Sequence, residues 1–159
     1  MTYQPDSTTA IVQRVRAILL ARQRGEPRLL FIKRLKPQTP PYWVAPGGGV
    51  EDTDESLYQT LSRELMEELG ATARVLRPAF VLRHEKGGKN LEEHFFICRL
   101  TSFDLRLRNG PEFSRPERGL YLPDFLPLQP ESLDAVYIKT EELHDWLKAN
   151  LGLLRRLGA

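Results

Sequence analysis

Glu64, Glu67 and Glu68 fall within five consecutive positions, and Glu51, Asp52, Asp54 and Glu55 precede them, so that Arg63 is the one base among the eighteen residues from Glu51 to Glu68. Carboxylates crowded in this way can bind a hard divalent cation or move a proton. They can also be an ordinary solvated helix face. Position along the helix separates the two. Asp52, Asp54 and Glu55 stand where a helix would begin, and its dipole favours acids there. Glu64, Glu67 and Glu68 stand in the last turn and a half before Gly70, where the dipole disfavours each by roughly 0.3–1 kcal/mol. At about 100° per residue the three cover an arc of roughly 100° beside Leu61, Leu65 and Leu69. Their mutual repulsion is unfavourable by a few tenths of a kcal/mol per pair, and Arg63, pointing away from Glu64, cannot neutralise all three. A Mg²⁺ ion, which takes carboxylate oxygens and completes its shell with water and phosphate oxygens, would supply the missing charge. On composition alone the metal site and the solvated face stand level.

The elements that must position these acids are legible in outline. Leu57, Leu61, Leu65 and Leu69 recur at every fourth residue, which predicts a helix capped by Thr53 or Asp54 and stopped at Gly70. Val12–Ala21 and the stretch PRLLFIKRL read as strands around a turn at 22–26, followed by a proline-rich loop and a short extended YWVAP. ARVLRPAFVLRHE and LEEHFFICRL flank KGGKN as the arms of a hairpin, and the alternation in FDLRLRNG predicts a further strand before an Asn-Gly turn. Residues 111–124 should be loop and DFLPL a short strand. TEELHDWLKANLGLLRRL should form one closing helix capped by Thr140. The order of strands, helix, strands and helix predicts an α/β domain with a mixed sheet.

The chain has 159 residues, of which 41% are apolar, which suits one domain over 1–159 with a loose end at 1–10. Cys98 is the single cysteine, so no intramolecular disulfide is available and a reducing, cytoplasmic setting is the default. The longest nearly apolar run, Ala17–Ala21, is too short to cross a membrane, and the first residues lack the pattern of a signal peptide. Lys and Arg number 23 against 21 acids, with no basic run, so nucleic acid is not the expected partner. An acidic focus sits in a basic frame.

The spacing Gly49, five residues, Glu55, seven residues, Arg63-Glu64-Leu65-Met66-Glu67-Glu68-Leu69-Gly70-Ala71 resembles the Nudix box, Gly-x5-Glu-x7-Arg-Glu-U-x-Glu-Glu-x-Gly-U with U apolar, at every specified position. The box covers 23 of the 159 residues, and YWVAPGGG before it is similar to the family's Trp-x-x-Pro-Gly-Gly lead-in. One departure stands out. Members beginning Gly-Gly-Gly-Val-Glu usually reach the box glutamate one residue sooner. Counting back from Glu55 makes Gly49 the box glycine, whereas counting from Pro46 makes it Gly48.

The resemblance implies a Nudix-type α/β/α sandwich and metal-dependent hydrolysis of a nucleoside diphosphate linked to another group, with Mg²⁺ or Mn²⁺ as cofactor. Metal ions neutralise a phosphoanhydride and activate the attacking water, and clustered acids bind such ions. By the same resemblance Glu67 and Glu68 are metal ligands, and Glu64 is a further ligand or the general base. The carbonyl of Gly48 or Gly49 joins them, and Arg63 pairs with Glu55 to orient the carboxylates. Arg34 corresponds to a position that holds a substrate phosphate in relatives, an interaction suited to arginine. Glu112 and Glu117 lie where relatives carry a late acid that meets the metal or acts as base. His84, Lys86 and Lys89 read as a polar hairpin tip before a contact with a phosphate chain, and Trp43 reads as a core residue before Tyr42 and Trp43 read as a platform for a base. The expected partner is a nucleotide-type small molecule, without a membrane, and relatives often form homodimers. Two other functions use the same features: a nucleotide-sensing domain without catalysis, and pyrophosphate removal from RNA 5′ ends. The segment EKGG lacks the proline of ADP-ribose hydrolases and the tyrosine of dinucleoside polyphosphate hydrolases.

Overall fold

The computed structural model describes residues 10–159, without the side chain of Ser114. The expected loose N-terminus at 1–10 therefore lies outside the described residues, Ala10 apart. The chain runs β1 (Ile11–Gln23), β2 (Glu26–Lys36), β3 (Thr39–Val44), β4 (Gly47–Gly49), α1 (Leu57–Leu69), β5 (Ala71–Lys86), β6 (Lys89–Phe103), β7 (Leu120–Pro127), α2 (Pro130–Asp134), β8 (Ile138–Lys139), α3 (Glu141–Ala149) and α4 (Leu151–Gly158). One mixed sheet is ordered β5-β6-β1-β2-β3-β8, with β4 beside β1 and β7 beside β2.

Strand β1 is the hinge of the architecture. It pairs in parallel with β6 from Ile11 to Leu20, antiparallel with β2 only from Leu20 to Gln23, and antiparallel with β4 from Arg14 to Arg16. β1 and β2 therefore part toward the N-terminal end of β1, and the short glycine strand takes up position there.

Alternation along the central strands feeds two cores. Val15, Ala17, Leu19, Leu30, Ile32, Phe96 and Cys98 meet the α1 stripe of Leu61, Leu65 and Leu69. Ile18, Leu20, Leu29, Phe31, Phe95 and Ile97 meet Leu143, Leu147, Leu151 and Leu154 on the opposite face. The result is the α/β/α sandwich that the family resemblance implies, with the mixed sheet that the strand pattern predicts, and fully burying each such leucine contributes about 1.5–3 kcal/mol.

Local boundaries differ in several places, and β3 already begins at Thr39, inside the stretch read as a proline-rich loop. Ser56, not Thr53 or Asp54, caps α1, its Oγ accepting from the Gln59 amide at 3.1 Å. FDLRLRNG is not a strand: after Phe103 the chain turns into a 3-10 segment, Leu105–Leu107, because Asp104 accepts from the Arg106 amide and the Asp104 amide donates to the Gly70 carbonyl. The closing segment is two helices, broken at Asn150, whose side chain donates to the Trp146 carbonyl at 2.8 Å, and Thr140 precedes the first without a side-chain cap. β7 is longer than DFLPL because it pairs with β2 over its whole length.

Candidate active site

The acids are set by the helix that carries them and the loop before it. Arg63, on α1, is the hub. Its Nε and Nη2 donate to the two oxygens of Asp54 at 3.1 and 2.8 Å, and Nη2 also donates to the Gly49 carbonyl at 3.0 Å. Nη1 reaches Glu64 at 3.2 Å, Glu51 at 3.3 Å and Glu67 at 3.4 Å. Asp54 also accepts from the Glu51 amide and the Thr60 hydroxyl, both at 2.9 Å. The Arg63 guanidinium and these donors hold the Asp54 carboxyl well below its ordinary value, and Asp54 in turn raises that of Arg63.

This corrects the expected pair. Glu55 is exposed, its amide bonded to Gln59, and Asp54 takes the arginine instead. The extra residue of the loop falls between the arginine's acid and the helix cap, so counting from Pro46 gives the register that the contacts follow. The two glycines divide accordingly. A Cβ on Gly48 would lie 2.4 Å from the Glu64 carboxylate, whereas one on Gly49 would meet open space. Gly48 is the one pressed against the acids, and the Gly49 carbonyl is occupied by Arg63.

Arg63 also reaches further than a helical wheel suggests, engaging Glu64 and Glu67 but, among the described residues, not Glu68. Glu68 is buried, 9% exposed, with the Gly47 amide donating to it at 3.3 Å. Burial pushes its carboxyl well above the ordinary value; Glu64 and Glu112 push the same way and Arg16 opposes them. Burial, followed by Glu64, also raises Glu67, against the pull of Arg63.

A cleft of about 380 Å³ opens where β1 and β2 part. Glu64, Glu68 and Gly47–Gly49 form one end, and Arg34 and Glu112 also line it. Glu117 is exposed and lies outside the cleft, and Glu67 stands beside it without lining it. His84 and Lys86 line the cleft, whereas Lys89, also at the hairpin tip, does not. Trp43 packs against the core as expected and donates to Asp124 at 2.7 Å, while Tyr42 faces the cleft.

Several lining residues had gone unnoticed: Arg14, Arg16, Glu93, Arg118, Tyr121 and Lys139. Glu93 joins three strands, accepting from Arg16 Nε at 3.0 Å with His84 Nε2 at 2.7 Å, while Arg16 Nη1 donates to the Ala45 carbonyl at 3.1 Å. Burial opposes ionisation of Glu93, but Arg16 and His84 outweigh it and its carboxyl lies below the ordinary value. A signal for it was present: Leu91, Glu93, Phe95 and Ile97 share one strand face, and a lone acid in an apolar row has to have a partner.

Among the described residues no group of three His, Cys, Asp or Glu side chains stands ready to hold a metal ion. Glu64 and Glu67 turn to Arg63 instead. The donor chemistry nevertheless fits a hard divalent cation. Glu64, Glu68 and Glu112 line one cleft, and the buried Glu68 shares no ion pair with the nearest arginine on its helix.

A family model for the NUDIX domain matches residues 12–147. The fold is similar to the solution structure of the Escherichia coli ORF135 protein, at 25% identity and a TM-score of 0.61, over 94% of this chain and 95% of that one. It is also similar to a MutT protein from Methanosarcina mazei Go1, at 20% identity and a TM-score of 0.64 over 91% and 95% of the two chains. A Caenorhabditis elegans Ap4A hydrolase matches at 16% identity with a TM-score of 0.63 over 90% and 97%. The chain belongs to the NUDIX family and is a hydrolase of the Nudix type.

Proposed function

We propose that this protein hydrolyses a phosphoanhydride bond in a nucleoside diphosphate linked to a further group, with Mg²⁺ or Mn²⁺ held by Glu64, Glu67, Glu68 and the Gly48 carbonyl. The observation that carries this reading is Glu68: a buried carboxylate beside Glu64, in a cleft lined by Arg14, Arg34 and Lys86. When bound, the metal neutralises the anhydride oxygens and lowers the pKa of the attacking water. The protein's own groups do the rest. Arg63, anchored by Asp54, holds Glu64 and Glu67 in place, as outer partners of metal ligands do. Arg34 lines the cleft, where its charge can meet a phosphate although its Nε and Nη2 already donate to the Leu120 and Arg118 carbonyls. Glu64, Glu68 and Glu112 are the acids positioned in the cleft to take a proton from water. The names of the MutT and Ap4A hydrolase relatives support a nucleotide substrate. A cytoplasmic setting is part of the reading, consistent with the single cysteine, Cys98, whose thiol burial pushes up to about 12. No helix of the described residues is long and apolar enough to cross a membrane.

The test is a product-resolved hydrolysis screen with Mg²⁺ and Mn²⁺ over nucleoside triphosphates, ADP-ribose, dinucleoside polyphosphates, sugar nucleotides and triphosphorylated RNA. Metal-dependent cleavage is expected, and Glu68→Gln should lower turnover at least about a hundredfold with the fold intact. Binding of nucleotides without cleavage of any would replace this reading with a sensing domain.

A further inference from the structure

A cation that does not belong to α1 stands close to Glu68. Arg16 lies opposite Gly47 in the pairing of β1 with β4, and the Gly47 amide is the group that donates to Glu68 at 3.3 Å. Arg16 and Glu68 line the same cleft. Burial dominates the Glu68 carboxyl, and Arg16 is near enough to pull against it. A guanidinium so placed is a ready partner for a buried carboxylate, through short charge-assisted hydrogen bonds. Such a pair would occupy the oxygens that a divalent cation needs.

Among the described residues that pair does not form, because Arg16 is held elsewhere. Its Nε donates to Glu93 Oε2 at 3.0 Å and its Nη1 to the Ala45 carbonyl at 3.1 Å. Glu93 is fixed in turn: it is 6% exposed, and its other oxygen lies 2.7 Å from His84 Nε2. A carboxylate buried in the apolar row of Leu91, Phe95 and Ile97 is unfavourable by itself, and the charge that it holds accounts for it. Arg14 lies two residues back on the same face of β1, opposite Gly49 rather than Gly47. Burial and then Arg16 lower its guanidinium, while Glu93, Glu64 and Glu68 act the other way, so these charges interact across one space.

We propose that Glu93 is a positioning residue for the metal centre: by holding Arg16 it keeps that guanidinium off Glu68 and leaves the Glu68 carboxylate open to a divalent cation. This rests on the metal-dependent reading of Glu68 and adds to it a residue of β6 that acts through β1.

The experiment is a Mn²⁺ titration followed by the electron paramagnetic resonance of the free ion, with a melting temperature recorded for each protein. Glu93→Gln frees Arg16 and should weaken Mn²⁺ binding at least about tenfold. Adding Arg16→Gln to it should bring affinity back to within about threefold of wild type, since neither charge of the pair then remains. Adding Arg14→Gln instead should not. Arg16→Gln alone breaks the same ion pair without freeing a cation, so its affinity should stay within about threefold of wild type or tighten. A larger loss in Arg16→Gln would overturn the proposal whether or not Glu93→Gln folds, because the pair would then be a structural strut. Unchanged affinity in Glu93→Gln would overturn it too, as would equal recovery with Arg14→Gln and Arg16→Gln, which would make total charge the cause. These failures leave the metal reading standing, whereas a wild type that binds no Mn²⁺ at millimolar concentration would sink that reading and this proposal together.

Discussion

An arginine that touches four acids, with a fifth acid left over and buried, describes the chemistry of this site at the scale of the residue. Arg63 has its acids; Glu68 has the Gly47 amide but, among the described residues, no ion pair. The arginine's anchor is Asp54, so substitutions on the two neighbouring acids should part sharply. Asp54→Ala is expected to lower the melting temperature and to reduce turnover at least about tenfold, since the guanidinium loses the partner that fixes it. Glu55→Ala should leave turnover within about twofold, and steady-state rates on the two variants check both. The sequence could not separate these acids, because spacing to Arg63 favours one and spacing to Pro46 the other. Only the side chain's path through the loop, with Thr60 and the Glu51 amide as further donors, decides between them. Glu64, Glu67 and Glu68 were legible because helical geometry is regular and anions at a helix C-terminus need a reason.

Among the elements, α1 was the most legible and is the most sharply terminated. Gly70 sits at φ 61° and ψ 37°, and a Cβ there would lie 2.0 Å from the Asp104 carbonyl oxygen. Gly70→Ala should therefore cost more than about 1 kcal/mol of stability, measured by urea unfolding, and should loosen the turn behind the acids. The segment after Phe103 was misread for a related reason. Its apolar and polar alternation is real, but Asp104 turns the chain locally by accepting from the Arg106 amide. The break at Asn150 was hidden because apolar positions continue through it.

The sheet offers a pH test. Glu92 on β6 accepts from Gln13 on β1 at 3.1 Å and from Arg83 on β5 at 3.1 Å, with His94 at 2.7 Å. Hydrogen bonds from Gln13 and His94, and then Arg83, bring its carboxyl from 4.5 down to about 2. A depressed folded value means that the stabilisation is complete above 4.5 and is lost as pH falls through about 2. Glu92→Gln should accordingly melt below the wild type at neutral pH, and the gap should close as the solution approaches pH 2. Melting curves across that range check the sign.

For the molecule as a whole, the proposed metal site would couple ion binding to folding, because the buried Glu68 forms no ion pair with the arginine of its helix. Mg²⁺ or Mn²⁺ at a hundred times its dissociation constant should add about 2.7 kcal/mol and raise the melting temperature by several degrees, with excess EDTA as control. No shift at millimolar metal would count against the role given to Glu64 and Glu68. The strands of the sheet were readable from alternation and the sandwich from the family resemblance, whereas the cleft was not, because its walls come from strands distant in the chain. Arg16 and Glu93 meet across 77 residues, and β1 pairs in parallel with β6. During synthesis, then, the helix with its carboxylates leaves the ribosome well before the strand that walls them in. Contacts this far apart are slow to close. For that interval the nascent chain carries its acids in open water, with neither the burial of Glu68 nor a cleft to receive a ligand, and the site comes into being only as the sheet is completed.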